Sequence, residues 1–386
     1  MKIVICAQGF PYQGRPSFVF VEQLVIALAD RGNVITVIAP QSITKSLMRS
    51  LPLMPVHEKR KTAKGHAFDV YRPKYISFGG KSIFNEFESW WFKRAVNKVL
   101  RSIRAMPDVL YGHFWYCALA LKPFAEKYNI PLFVACGEGD DALENMLRNM
   151  KHSQINSLNN MIAGVVSVSS ENKRKCLHYG LVTSERISVI PNSVDKSLFH
   201  PLNKAKCRNQ LNISLSDFVV IYVGGFIHRK GSIRVAEAID NINDDHLKVI
   251  FIGTSLGSKD FVPMCKGILH IGPVDHDKIP IYLNAADIFV LPTLKEGCCN
   301  AIVEALSCGL PVVSANLPFN ADILDETNGI CVDPMNVEEI AFAIKRLMND
   351  KTLVKRLSSG AIIKTKDLSI ENRAEKIESF IKKHLF

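Results

Sequence analysis

The 386-residue sequence predicts an α/β protein built from two Rossmann-like, doubly wound domains. Three observations predict it. The length exceeds one small core and suits two domains of about 180–200 residues each. In both halves, short β-branched apolar runs alternate with helix-like segments, the pattern of strands in a parallel sheet. One stretch, 287–313, reads as strand, loop, helix and strand in sequence. Asp287-Ile-Phe-Val-Leu291 ends at Pro292, and Asn300 is placed to cap a helix over 301–308. Gly309 and Pro311 stop that helix before Val312-Val313.

Composition narrows the class. Hydrophobic residues make up 47% and charged residues 22%, as in a globular protein. No apolar run is long enough to span a bilayer, and Met1-Lys-Ile-Val-Ile-Cys-Ala7 reads as a strand without a cleavage site. The ten cysteines show no Cys-x2-Cys pair, which favours free thiols in a reducing cytoplasm over disulfides or zinc. The net charge of +11 is uneven: residues 45–104 hold 14 basic and 4 acidic residues. Such a local excess suits an anionic partner.

The chain opens with a strand at 2–6, the loop Gly9-Phe-Pro-Tyr-Gln-Gly14, a helix over 17–31 and a strand at 34–39. The loop is not Gly-x-Gly-x2-Gly, so dinucleotide binding has little support. After a strand at 68–72, a helix over 85–105 places Arg94, Lys98, Arg101 and Arg104 on one face. Phe92, Val96, Val99 and Ile103 lie opposite. Trp90 falls on the basic side, where an indole suits a lipid headgroup boundary. A solvated basic face over an ordinary core helix is the plainer alternative. Nucleic acid explains the charge less well, because no nucleic-acid module accompanies it.

Strands follow at 108–112, 131–136, 163–167 and 187–190, with His113 just beyond the first of them, where ligands of open α/β sheets collect. Residues 196–216 read as a polar linker. The second domain opens with a strand at 218–223, the loop Gly224-Gly-Phe-Ile-His-Arg-Lys-Gly231 and a helix to 242. Further strands lie at 247–252, 268–271 and 288–291. In the central stretch, Glu296 sits in the loop before the helix and Glu304 one turn inside it. Helical side chains lean toward the N-terminus, so Glu304 tilts back toward the loop that holds Glu296. A helix mouth suits phosphate, and two carboxylates suit sugar hydroxyls. An ordinary βαβ crossover with two solvated glutamates is the alternative.

Glu296-Gly-x6-Glu304, followed by Ala-Leu-Ser-Cys-Gly-Leu-Pro-Val-Val313, resembles the Glu-x7-Glu signature of the family 4 retaining glycosyltransferases. The resemblance covers nearly the whole chain and implies the GT-B fold, with two domains facing one another across a cleft. It divides the chain into an acceptor-side domain at 1–195, a nucleotide-sugar domain at 196–368 and a final helix at 369–386 that crosses back. Pro191-Asn-Ser-Val-Asp195 resembles the family's hinge turn. The implied activity is retaining, metal-independent transfer, of the hexosyltransferase class, from a UDP- or GDP-sugar to a hydroxyl, with no cofactor beyond that donor.

The resemblance also assigns positions. Backbone near Gly14 faces the transferred sugar, and His113 touches it near the reacting carbon. Gly224, Gly225, Lys230 and neighbouring Arg229 hold the diphosphate, while Gly272 and Val274 grip the base. Glu296, Gly297, Cys298, Cys299 and Asn300 meet the sugar, and Glu304 meets the ribose. Two departures stand out. Gly225 replaces the family's arginine, leaving Arg229 to supply that charge, and Cys136-Gly137 replaces a histidine-glycine pair, leaving Glu138 as the acceptor-side candidate. No second carboxylate is placed as a nucleophile, so front-face attack is implied over double displacement. The acceptor expected is a lipid-linked or saccharide precursor of lipopolysaccharide, capsule or exopolysaccharide. Trp90, Arg94, Lys98 and Arg101 would hold the protein on the inner face of the plasma membrane. The rivals are a GT-B nucleotide-sugar epimerase and a peripheral anion-binding protein with a vestigial cleft.

Overall fold

The computed structural model describes residues 1–13, 18–77, 85–139, 142–148, 150–255 and 259–385. The chain divides into two units, Met1–Ile190 with Glu371–Phe386, and Pro191–Ile370. The first unit holds an eight-stranded sheet. Its order is Ile187–Val189, Ile162–Ser167, Leu132–Cys136, Val109–His113, Lys2–Ala7, Val34–Ile38, Ala67–Tyr71 and His57–Lys61. Only the last pair is antiparallel. The five residues of Val109–His113 are all buried, as are those of Leu132–Cys136, so both read as continuous apolar runs rather than alternating ones. Helix Trp115–Tyr128 packs Trp115, Leu121 and Phe124 into this unit's core beside Leu110, Val134 and Phe92.

The antiparallel edge strand His57–Lys61 escapes a search for apolar runs. Its sequence is His-Glu-Lys-Arg-Lys, with alternate residues exposed. Charge at an edge is what keeps such a strand from pairing with other chains. The basic helix runs over Asn85–Ser102, and of the four basic residues predicted on its face Arg104 falls beyond its end.

The second unit is a six-stranded, all-parallel sheet. Its order is Ile268–Gly272, Leu247–Ile252, Phe218–Val223, Ile288–Leu291, Val312–Ala315 and Gly329–Val332. Counted along the chain this is 3-2-1-4-5-6, the doubly wound order whose direction reverses between Phe218–Val223 and Ile288–Leu291.

Two boundaries differ from the sequence reading. The hinge turn stays with the second unit because Val194 bridges Ser369: Val194 N–H donates to Leu368 O at 3.1 Å and Ile370 N–H to Val194 O at 3.0 Å. Residues 196–216 are not a linker. Helix Lys204–Gln210 buries Cys207 and Arg208, and the Arg208 guanidinium donates to the carbonyls of Ala285, Ser214, Leu215 and Asp217 and to the Asp287 carboxylate. A polar sequence hides this helix, because its anchor is a buried arginine instead of an apolar stripe. The final helix, Ile370–Lys383, lies against the first unit's strands, with Phe380 edge-on to Phe133 at 6.1 Å and Glu378 paired to Arg31.

Candidate functional site

Ligands of doubly wound sheets bind beyond the carboxyl ends of the strands where the order reverses. In the second unit that point is flanked by the 224–231 loop and the 292–299 loop. Phe218–Val223 leads into the short 3-10 turn His228–Lys230 and then Gly231, whose φ of 80° is left-handed. A Cβ at Gly231 would sit 2.8 Å from Pro292 O, so the two loops approach closely only because this residue is glycine. Arg234, on the first turn of helix Ser232–Ile242, fastens them. It donates to His228 O at 3.0 Å and Pro292 O at 2.8 Å. Leu294 N–H adds a bond to Arg229 O at 2.8 Å.

This clamp gathers a charge cluster on Glu296. Its Oε1 accepts from Lys230 Nζ at 2.6 Å, Arg229 Nη1 at 3.0 Å and Thr293 Oγ1 at 2.8 Å. Arg229 also donates to Lys295 O, which aims its guanidinium inward. Burial opposes the charge on Lys230. The Glu296 carboxylate, bonded directly to the ammonium, opposes that effect, and the Lys230 pKa is held above the usual lysine range.

Helix Asn300–Ser307 starts at this cluster. The sequence places Asn300 at the cap; the structure puts Cys299 there and Asn300 inside the first turn, and no side chain caps the helix. Asn300 is instead used laterally. Asn192, in the hinge turn, donates to Asn300 Oδ1 at 2.7 Å and to Cys298 O at 2.9 Å. Burial pushes the Cys299 thiol up, so it stands neutral beside Lys230. The first-turn amides and the dipole's positive end therefore lie next to two cations, a ready seat for a diphosphate.

Glu304 lies one turn along. The loop beyond strand Ile268–Gly272 reaches it: His276 Nε2 is 3.1 Å from Glu304 Oε1, and Phe199 lies edge-on to the imidazole at 5.2 Å. The hydrogen bond to Glu304 raises the His276 pKa above the ordinary histidine value, against burial. Gly272 ends strand Ile268–Gly272, its carbonyl accepting from Gly253 N–H at 2.9 Å, and Val274 lies in the loop that follows.

In the first unit, sheet order reverses between Lys2–Ala7 and Val109–His113, and His113 ends the latter strand. Its ring is packed among Phe20, Phe114 and Tyr111, and burial drives its pKa down to about 3, with the Arg373 charge adding to the effect. The imidazole is thus neutral, and its Nδ1 has no hydrogen-bond partner among the described residues. Glu138 has a local structural use: it accepts from Trp115 N–H at 2.9 Å and Gly137 N–H at 3.0 Å, closing the start of helix Trp115–Tyr128. Gly14 lies outside the described residues. Trp90, Arg94, Lys98 and Arg101 are all exposed, and Arg94 covers the Trp90 ring at 5.6 Å.

The cluster thus brings Arg229, Lys230, Glu296 and the 298–300 turn together in one unit, with Glu304 on the same helix. Sequence reasoning missed His276, Arg234, Asn192 and Thr293. A signal for His276 existed, since it falls two residues past Val274 at a strand's carboxyl end. Arg234 gave none, because an arginine on an amphipathic helix reads as surface.

A family model described as Glycosyl transferases group 1 matches residues 203–364, and one described as Glycosyltransferase Family 4 matches residues 18–198. The chain belongs to the family 4 glycosyltransferases. This glycosyltransferase is 25% identical over 365 residues to TuaC of Bacillus subtilis (strain 168), named for glycosyl transfer in teichuronic acid biosynthesis; 91% of this chain and 90% of that one are covered. It is 30% identical over 203 residues, 49% of this chain and 52% of the relative, to an Escherichia coli UDP-Gal:alpha-D-GlcNAc-diphosphoundecaprenol alpha-1,3-galactosyltransferase. Among solved structures, sucrose-phosphate synthase from Thermosynechococcus elongatus superposes with a TM-score of 0.78 at 17% identity, covering 99% of both chains. Anabaena HepE in complex with UDP-glucose gives 0.74 at 19%, covering 99% of this chain and 100% of that one. The fold is GT-B, with two Rossmann-like units.

Proposed function

We propose that this glycosyltransferase moves a hexose from a UDP- or GDP-sugar to an acceptor hydroxyl with retention of configuration and without a metal ion. The observation that carries the reading is Lys230 and Arg229 converging on Glu296 beside the start of helix Asn300–Ser307. In the proposed complex both cations turn to the diphosphate, Arg229 taking the part of the arginine missing at Gly225. Glu296 is released to accept from sugar hydroxyls, and Glu304 accepts from the ribose. The bond from anomeric carbon to phosphate oxygen breaks with its electron pair on the diphosphate, where the helix N-terminus and the cations stabilise the growing charge. The acceptor oxygen bonds to that carbon on the same face, and its proton passes to the departing phosphate oxygen. His113 is proposed as a neutral hydrogen-bonding group for the sugar.

The names of TuaC and the Escherichia coli relative support an acceptor from cell-surface polysaccharide assembly, lipid-linked in the second case. Among the described residues no helix is long and apolar enough to cross a membrane. We therefore propose peripheral residence on the inner face of the plasma membrane, with the exposed Trp90, Arg94, Lys98 and Arg101 toward the lipid.

Thermal-shift screening against a panel of nucleotide sugars identifies the donor, since a ligand bound only by the folded state raises Tm with its affinity. Proton NMR of the product then reads the anomeric configuration. An inverted product, or release of an epimer from donor alone, would refute the proposal.

A further inference from the structure

Helix Ile43–Met48 buries none of its six residues. So short a helix is marginal unless its surroundings hold it. The segment around it has a firmly built base. Gln41 brackets the return of the chain, donating to Met54 O and accepting from Met54 N–H, both at 2.8 Å. Ser42 caps the helix through Lys45 N–H at 3.1 Å and bonds Ser77 Oγ at 2.6 Å. The tip is the opposite of this base. Leu47 is 79% exposed, Met48 81%, Leu51 41% and Leu53 40%. From Pro40 to His57 the chain has no acidic residue, and Lys45 and Arg49 stand exposed among the apolar side chains.

This loop has an amphipathic neighbour. Gln41–Ser42 pairs in parallel with Lys74–Tyr75, and the Tyr75 ring meets Phe92 of helix Asn85–Ser102 edge-on at 5.4 Å. The same helix exposes Phe87, 59%, and Trp90, 51%, beside Arg94 and Lys98. Two elements hung on one small sheet thus share exposed large apolar groups and exposed cations. The 40–57 segment pairs its apolar side chains with two cations and no acid. On the helix, Glu86 and Glu88 are confined to the first turn while Arg94, Lys98 and Arg101 follow. Exposed apolar groups and a net positive charge together match an anionic bilayer.

We propose that the 43–53 loop is a membrane-inserting element. Leu47, Met48, Leu51 and Leu53 enter the acyl boundary of an anionic bilayer, and Lys45 and Arg49, with Arg94, Lys98 and Arg101, meet lipid phosphates. The inference deepens the peripheral residence proposed above and rests on that part of it alone, so it stands or falls independently of the transfer chemistry.

The test is sedimentation of the full chain with sucrose-loaded vesicles of phosphatidylcholine, with and without phosphatidylglycerol, over a salt series. Wild type is expected to bind the anionic vesicles and to release as salt rises. Leu47→Ser with Met48→Ser should weaken binding about tenfold or more while keeping the salt dependence. Arg94→Gln with Lys98→Gln should flatten that dependence instead. All these side chains are exposed, so circular dichroism and Tm should match wild type and certify folding. The proposal is overturned if wild type ignores anionic vesicles, or if the Leu47/Met48 variant binds them as wild type does. It is also overturned if that variant abolishes a vesicle-independent self-association, which would make the patch an interface between copies. Failure of sugar transfer with vesicle binding intact would count against the proposed function only.

Discussion

His276 Nε2 lies 3.1 Å from Glu304 Oε1, so the carboxylate expected to meet the ribose is already held by a titratable group from a different loop. Asp277, on the same loop, and Asp195, in the hinge turn, add to the field that favours the imidazolium. Because the folded pKa is raised, the pair's stabilisation is complete below the unfolded value of about 6.5 and fades as pH rises through the folded one. The Tm advantage of wild type over His276→Asn should therefore be largest near pH 6 and shrink toward pH 9. At its largest that advantage should correspond to about 1 kcal/mol of unfolding free energy. A pH-independent difference would mean the contact is packing against Phe199 alone.

Removing Lys230 tests the cation that the cluster buries most deeply. Lys230→Met leaves Glu296 with Arg229 and Thr293. Transition-state charge on the leaving diphosphate then loses one donor, and kcat should fall by roughly 10²–10³. Single-turnover kinetics with saturating donor separates this from binding; an unchanged rate would move the diphosphate elsewhere.

Arg229 is the residue proposed to replace the arginine missing at Gly225, and its geometry gives a sharper test. Its guanidinium shares Glu296 Oε1 with Lys230. Arg229→Ala should weaken nucleoside-diphosphate binding about tenfold, the value of one charge-assisted hydrogen bond lost at a half-exposed site. Titration calorimetry with the free diphosphate reads this without an acceptor. Equal affinity would show that Arg229 only braces the Lys295 carbonyl.

Much of this was legible in the sequence, and the reasons are local. Pro292, Gly309 and Pro311 punctuate a strand, loop and helix whose apolar runs carry their own signal, so the Glu296 and Glu304 segment could be drawn from residues alone. The hidden parts depend on contacts across the sheet. Helix Lys204–Gln210 is anchored by buried Arg208, and edge strand His57–Lys61 is charged throughout; neither has a periodicity to find. Glu138 shows a use that its sequence position does not reveal: its oxygens accept from the amides of Gly137 and Trp115, which fixes the start of helix Trp115–Tyr128.

Arg234 makes a stability prediction with a catalytic consequence. Its two bonds hold the carbonyls of His228 and Pro292, 58 residues apart in sequence from Arg234 in the second case. Arg234→Met keeps the aliphatic stem but strands both carbonyls, which should cost about 2–4 kcal/mol. Donor binding should weaken as the loops separate, whereas Arg234→Lys should recover part of the stability through a single bond. Urea denaturation of the three proteins measures the order; a neutral Arg234→Met would show that glycine packing at 231 alone sets the loop spacing.

His113 supplies the acid limb. Burial lowers its pKa to about 3, below the unfolded value of about 6.5, so between these limits the unfolded chain binds a proton that the native chain refuses. Stability is therefore lost as pH falls through that window, and fully retained above it. His113→Gln is neutral at every pH and should lose less stability than wild type on going from pH 7 to pH 4, by about 1–3 kcal/mol. At pH 7 the two should differ far less, because both side chains are then uncharged. The same substitution keeps a hydrogen-bonding group near the imidazole position, so transfer activity at pH 7 should fall without any new ionisation entering its pH profile between 5 and 8. A wild-type profile with a histidine-like limb that vanishes in His113→Gln would mean the imidazole is charged during turnover, and the neutral role assigned to it would be wrong.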